Sequence, residues 1–320
     1  MRRLRRGREA RSKGGIDLLY PRGFWQGLSA PGVLWLLLLF VVPFYAILAT
    51  ATGGVDPIFG NAIPQWNPLR WNGDAFGYVF QQLGVSDGIY HVVFLRTLRF
   101  VAIAVALCLL IGYPVAYYLS RLRGRYRSVM LVLVVLPFWI SYLMRMLAWV
   151  GLLQDNGLVN HVLMTLGVID APRPWLEGQS VTVILGLAYG YVPFLILPLY
   201  AALERIDTSF LEAAWDLGAS SFGTFIRVTL PMSKQGVLAG TAIILLPMFG
   251  DFYTAELLSG GRPETSMIGN QIVLLLQGST LGSAQARGAA LVTALAVLVS
   301  VLTLYYLVST AKTTREARRS

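Results

Sequence analysis

Charge is what this sequence has least of. Only 13% of its 320 residues are Asp, Glu, Lys or Arg, whereas a soluble chain carries roughly 25%. The deficit, joined to high hydrophobicity, excludes intrinsic disorder and argues against an ordinary soluble enzyme. Cysteine is nearly absent: Cys108 stands alone inside an apolar run, so no disulfide framework or cysteine-based metal site can be built. His91 and His161 are the only histidines, too few for a histidine-rich metal centre, and no metal site is expected. Lysine is limited to Lys13, Lys234 and Lys312, none preceded by Gly. The Gly-Lys-[Ser/Thr] that cradles phosphates in a P-loop is therefore missing, and the chain cannot hold ATP in that manner. No grouping of Ser, His and Asp, and no pair of carboxylates, reads as hydrolytic, so no catalysis is expected here.

What is present is apolar. Hydrophobic residues make up 56% of the chain and the mean hydropathy is +0.62, which indicates an integral membrane protein. A helix needs about 20 apolar residues to cross the hydrocarbon core. Six stretches meet or approach this: 32–55, 100–119, 129–153, 181–203, 237–258 and 288–311. The third holds Arg145, and the fifth is free of charge until Asp251 and Glu256 near its end. The expectation is an all-α polytopic protein with a six-helix transmembrane domain at 32–311. A basic N-terminus with an interfacial segment (1–31) precedes it, and a basic tail (312–320) follows. The apolar run from 23 to 55 is too long for a cleavable signal peptide. The run 268–276 is too short to span and reads as a surface or re-entrant helix.

Arginine and lysine set the orientation. Eight fall in residues 1–27, four in 121–128 (Arg121, Arg123, Arg125, Arg127), three in 204–235 and four in the tail. The alternate loops carry only Arg70, Arg173 and Arg262. Basic residues thus mark every second loop, which puts both termini in the cytoplasm. The net charge of +10 then serves orientation and contact with anionic lipid, with no nucleic-acid partner.

The cytoplasmic loop 204–235 is long and patterned. Ser209 and Glu212 fit a capping box, Gly218 suits a left-handed helix end, and Ser221 can cap a second helix over 222–229 that Pro231 stops. Exposed Trp215, Phe222, Phe225 and Ile226 favour a docking element over a solvated connector. Here the residues resemble a known family. Glu212-Ala-Ala-Trp-Asp-Leu-Gly218 followed by Ile226-Arg-Val-Thr-Leu-Pro231 is similar to the EAA loop of ABC importer permeases, with wider spacing between the Ile and the Leu than the family has. The resemblance runs from about Leu95 to Leu307 and implies the type I ABC importer permease fold. It also implies that a coupling helix docks on separate ATPase subunits, which alone bind ATP and Mg. Carried over, Glu212, Ala213, Ala214, Gly218, Ala219, Ser220, Ser221 and Phe222 form that element. The implied partners are a second permease subunit, two ATPase subunits and a periplasmic solute-binding protein.

Three further strings, 136–160, 193–207 and 250–261, resemble the spermidine/putrescine permeases. A polyamine or related cation calls for carboxylates and aromatic faces, and an ionisable group inside a span is a functional candidate by default. Asp251, Glu256, Trp139, Tyr142, Tyr189, Tyr191 and Tyr253 are the candidate path residues. Arg145 is awkward for a cation path: it must meet a carboxylate such as Asp251, face the partner subunit, or snorkel outward. Arg96 and Arg99 are expected at the headgroups or against the binding protein, and loop 56–90 is long enough to help receive that protein. Thiamine-like cations, ferric ion, oxyanions and an ion-gradient-driven carrier remain open as alternatives.

Overall fold

The computed structural model describes the backbone of residues 22–277 and 282–317, and side chains over 27–277 and 282–301. The basic residues before Arg22 and the last two arginines lie outside the described residues. The chain is helical almost throughout. Helix α1 (Arg22–Ala51) leads into a two-stranded antiparallel ribbon, β1 (Gly54–Val55) with β2 (Ala62–Ile63), then α2 (Asp74–Gly84) and α3 (Ile89–Arg121). Next come α4 (Gly124–Val135), α5 (Tyr142–Leu153), α6 (Leu158–Thr165) and α7 (Ser180–Glu204). The loop expected to be patterned holds α8 (Thr208–Asp216) and α9 (Ser221–Met232). Helices α10 (Lys234–Phe249), α11 (Tyr253–Ser259), α12 (Ile268–Gln277) and α13 (Gly282–Ala317) complete the chain.

Four helices are long and apolar enough to cross a membrane, in α1, α3, α7 and α13; two bent helix pairs raise the number of spans to six. The six-span expectation therefore holds, with changed shapes. The third span is broken: residues 124–139 meet α5 at 88°. Pro137 supplies no N–H to the turn before the break, and Ser141 starts the new helix by accepting the Met144 N–H at 3.3 Å. The fifth span bends by 62° at Ser233, between α9 and α10, so Pro231 redirects the helix without stopping it. It ends early, at Phe249, and the stretch 250–252 is unwound before α11. The segment expected as interfacial before residue 32 is continuous with α1.

The core is the packing of α3, α7 and α10. Phe100, Ala104 and Cys108 of α3 meet Leu187, Leu195 and Leu199 of α7, with Ile244 and Met248 of α10 beside them, all fully or nearly fully buried. The Cys108 thiol donates to the Ala188 carbonyl at 3.5 Å, a packing role. A second cluster joins Val79 of α2, Tyr90 and Val93 of α3, and Ala290 and Leu291 of α13. Helix α1 joins the second cluster through its end, where Ala51 is buried and Ile47 packs beside it; Leu34, Trp35 and Phe40 are exposed, an apolar surface suited to lipid tails. Arg96 is tied inward, donating to the carbonyls of Pro263 and Ser266, in place of the headgroup or partner contact its position suggested.

Candidate coupling surface and intramembrane site

The candidate coupling surface is built by local backbone chemistry. Asp207, in place of Ser209, caps α8: its carboxylate accepts the Ser209 N–H at 3.0 Å, and that hydrogen bond holds the carboxyl below the ordinary 3.8. Ser209 thus sits inside the helix, and no capping box forms with Glu212. At the other end Gly218 has φ +80°, a left-handed conformation that costs other L-residues roughly 1 kcal/mol. Its N–H reaches the Trp215 carbonyl at 2.8 Å and the Ala219 N–H reaches Ala214 at 3.0 Å, the paired bonds of a Schellman cap. Ser220, one residue before the expected Ser221, caps α9 by accepting the Gly223 N–H at 3.1 Å.

Glu212, Ala213, Ser220 and Ser221 are exposed on the resulting face, Ala214 and Ala219 are half-buried, and Phe222 is 73% exposed. Trp215 and Leu217 add further apolar surface, whereas Leu211 is buried and anchors α8. Beyond it, residues 225–229 form a π-turn. Phe225 there packs edge-on against Tyr113 and Tyr117 of α3, with ring centres 5.6 and 5.9 Å apart. Across from this surface Arg127 pairs with Glu204 and lies over the Tyr200 ring, so the basic loop after α3 is tied to the end of α7.

The second site lies at the unwound stretch after α10. Asp251 is buried there, 6% exposed. One carboxylate oxygen accepts the hydroxyls of Tyr142 (2.6 Å), Tyr191 (3.0 Å) and Thr254 (2.9 Å), and the other accepts the Thr254 N–H (2.9 Å). Four donors thus converge on one carboxylate and fix its position. Two glycines of α7 make room for the group: a methyl at Gly190 would lie 2.7 Å from the Tyr142 ring, and one at Gly186 would lie 2.9 Å from Thr254. Asn270 of α12 reaches across the break to the Phe252 carbonyl at 3.2 Å and the Glu256 carboxylate at 3.1 Å.

Of the seven path candidates, the structure brings together Asp251, Tyr142 and Tyr191. Glu256 is exposed and held by Asn270. Trp139 is 81% exposed and stands clear of Asp251. Tyr189 packs edge-on against Trp149, and Tyr253 stacks on Phe252. Arg145 neither pairs with Asp251 nor snorkels outward. It is buried, with its guanidinium 5.4 Å from the Tyr142 ring centre and 6.0 Å from that of Phe138. The residue that sequence reasoning missed is Thr254. Its signal was an Asp three residues ahead of it after a Gly, the spacing at which a side chain caps a new helix.

Comparison with known proteins agrees with this architecture. The chain is 41% identical over 214 residues to the spermidine/putrescine transport system permease protein PotB of Haemophilus influenzae, covering 66% of this chain and 74% of that one. It is 40% identical over 186 residues to PotB of Escherichia coli K12, covering 58% of this chain and 66% of that one, just under two thirds of its length. A chain in the crystal structure of a bacterial alginate ABC transporter, in complex with alginate pentasaccharide-bound periplasmic protein, superposes with a TM-score of 0.62. That match has 19% identity and covers 91% of this chain and 93% of the other, a likeness of fold. Residues 104–314 match the family described as binding-protein-dependent transport system inner membrane component, and the chain belongs to that family of multi-pass membrane proteins.

Proposed function

We propose that this chain is a permease subunit of an ATP-driven importer that moves a polyamine across the bacterial inner membrane. The identity of 41% to a spermidine/putrescine transport system permease protein supports the substrate class. The observation that carries the reading on geometric grounds is Asp251, a buried carboxylate ringed by hydroxyls in the unwound stretch between α10 and α11. Transporters place substrate sites at such discontinuous helices, and a carboxylate beside tyrosine rings suits an ammonium ligand.

In this reading the exposed face of α8 and α9, with Glu212, Ala213, Ala214 and Phe222, docks on a separate ATPase subunit. Gly218, Ala219, Ser220 and Ser221 shape its turn. A pair of ATPase subunits binds ATP and Mg and performs the hydrolysis; this chain performs none. A second permease subunit completes the translocation path, and a periplasmic solute-binding protein delivers the polyamine. Both termini and the basic loop after α3 face the cytoplasm and anionic lipid. Closure of the ATPases moves α8 and α9, and the bent spans rock between inward-open and outward-open states.

The test is co-expression with candidate ATPase, second permease and binding-protein subunits and reconstitution in lipid nanodiscs, followed by vanadate-sensitive ATP hydrolysis with and without spermidine. The expected result is stimulation by spermidine with binding protein that Glu212→Ala abolishes. Stimulation by thiamine, ferric ion or sulfate in its place overturns the substrate class. Failure of any ATPase to co-purify overturns the importer reading.

A further inference from the structure

Among the described residues the fold buries only two charged side chains, Arg145 and Asp251, one of each sign and each 6% exposed. They border the same site yet form no ion pair. The Tyr142 ring stands between them: its hydroxyl donates to Asp251 at 2.6 Å, while the Arg145 guanidinium faces the ring. Two of the three guanidinium nitrogens, Nε and Nη1, are buried without a hydrogen-bond partner. A buried cation left in this condition is strongly unfavourable, unless another state of the protein gives it an anion.

Asp251 is the buried anion within the chain that can fill that role. Both residues sit beside helix breaks, Arg145 just after the 88° turn of the third span and Asp251 in the unwound stretch after α10. Rigid-body rocking moves such breaks relative to each other, and it is the aromatic ring of Tyr142 that a small rotation must clear. Arginine presents a planar fork of donors that matches a carboxylate in two-point contact. It can therefore replace an ammonium on Asp251 with equal charge and more hydrogen bonds.

We propose that Arg145 is an internal displacing cation. Asp251 holds a substrate ammonium while the path is loaded, and Arg145 takes its place on that carboxylate as the substrate leaves. Charge at Asp251 stays balanced through the cycle, and return of the substrate to the emptied site is blocked. This rests on the polyamine reading above.

The experiment uses the assembled importer in proteoliposomes, with labelled spermidine uptake and ATP hydrolysis measured for wild type, Arg145→Lys, Arg145→Gln, Asp251→Asn and the Arg145→Gln/Asp251→Asn pair. Arg145→Gln is expected to lower the maximal uptake rate about tenfold while half-saturation by spermidine stays the same or falls, because release is slowed and binding is spared. In the Asp251→Asn background the same change should have no further effect, since the two act as one unit. Arg145→Lys keeps the charge and loses the fork; it should show a milder fall in rate with no rise in half-saturation, and it carries the test alone if Arg145→Gln does not assemble. Unchanged uptake in the Arg145 variants, a raised half-saturation at full rate, or losses that add across the pair overturns the proposal. A wild-type importer indifferent to spermidine overturns the polyamine reading instead, and that outcome is separate.

Discussion

Tyr113 of α3 and Ser233 share a hydrogen bond of 2.7 Å at the point where α9 turns by 62° into α10. Ser233 directs its own proton to the Leu230 carbonyl at 3.1 Å, which leaves Tyr113 as the donor. The bond therefore latches α3 to the hinge between α9 and α10. Phe225, about two turns before Ser233, wedges against Tyr113 and Tyr117. On the proposed reading, movement of α8 and α9 reaches the spans through this junction. Tyr113→Phe removes the hydrogen bond and keeps the ring, a loss of about 1 kcal/mol. The expected outcome is basal ATP hydrolysis near wild type with less spermidine taken up per ATP. Phe225→Ala removes the wedge as well as two ring contacts, and should uncouple uptake from hydrolysis more severely. Equal uptake per ATP in both variants would refute the latch.

Gly190 is predicted to be intolerant of even one methyl group. A Cβ there would meet the Tyr142 ring at 2.7 Å, so the ring must shift and its bond to Asp251 must lengthen. Overpacking of this kind costs about 1–3 kcal/mol. Gly190→Ala should lower the melting temperature of the purified chain and reduce uptake. In a Tyr142→Ala background the added methyl has no ring to strike, and Gly190→Ala should then be nearly neutral. That non-additivity, read by thermal unfolding in detergent, separates a local clash from general helix damage.

Asp251 and Glu256 are five residues apart in sequence and are predicted to behave oppositely. Asp251→Asn leaves a buried amide among four donors aimed at a carboxylate, and should lower uptake about a hundredfold, to a residual rate that is still measurable, while the chain still assembles. Glu256→Gln keeps the oxygen that accepts from Asn270 and sits in an exposed position, so uptake should change less than about threefold, within 1 kcal/mol. Labelled uptake by the two variants decides the matter; equal loss in both would mean that the site extends to Glu256.

Much of this was legible before any coordinates, and the misses have physical causes. The spans follow from hydropathy alone, because lipid leaves the backbone no option other than helix. Their breaks do not: Pro137 with Ser141 and Pro231 with Ser233 could each have been accommodated in a straight helix, and tertiary packing chose otherwise. Gly218 was readable because a left-handed cap has a narrow residue preference. The caps at Asp207 and Ser220 were each misplaced, because Asp207, Ser209, Ser220 and Ser221 are all competent and only the backbone selects among them. Around the unwound stretch, residue type named Asp251, Tyr142 and Tyr191, which the structure brings together. It also drew in Trp139, Tyr189 and Tyr253, since aromatics are abundant in spans and composition does not say which face they occupy. Gly186 and Gly190, one turn apart on α7, carry the spacing that permits close helix approach, and they were the overlooked clue.

The cap at Asp207 makes stability of α8 depend on acid in a definite direction. The Ser209 N–H holds this carboxyl below its ordinary value of 3.8. A group with a lowered folded pKa contributes stability above its unfolded pKa and loses that contribution as pH falls through the folded one. Wild type should therefore protect the α8 amides from hydrogen exchange better than Asp207→Ala at neutral pH; the difference should begin to shrink as pH falls below about 3.9 and vanish only after pH has fallen through the lowered folded value. A difference that persists unchanged in acid would mean that the side chain supports the helix by packing, with no part for its charge.

Gly218→Ala tests whether the turn between α8 and α9 matters for docking. At φ +80° the alanine is strained by about 1 kcal/mol, enough to loosen the bonds from Gly218 and Ala219 back to Trp215 and Ala214 without unfolding the spans. A methyl there strikes nothing, since no atom lies within 4 Å, so any effect comes from backbone strain alone. The chain should still insert and co-purify with the second permease subunit. Binding of the ATPase should weaken by up to about tenfold, the equivalent of 1.4 kcal/mol, because the exposed faces of Glu212 and Phe222 are no longer held at a fixed angle. Gly218→Asn, which tolerates the left-handed region better, should recover most of that affinity. Recovery by Asn assigns the effect to the backbone conformation; equal weakening by Ala and Asn would assign it to a surface that needs the bare glycine for contact.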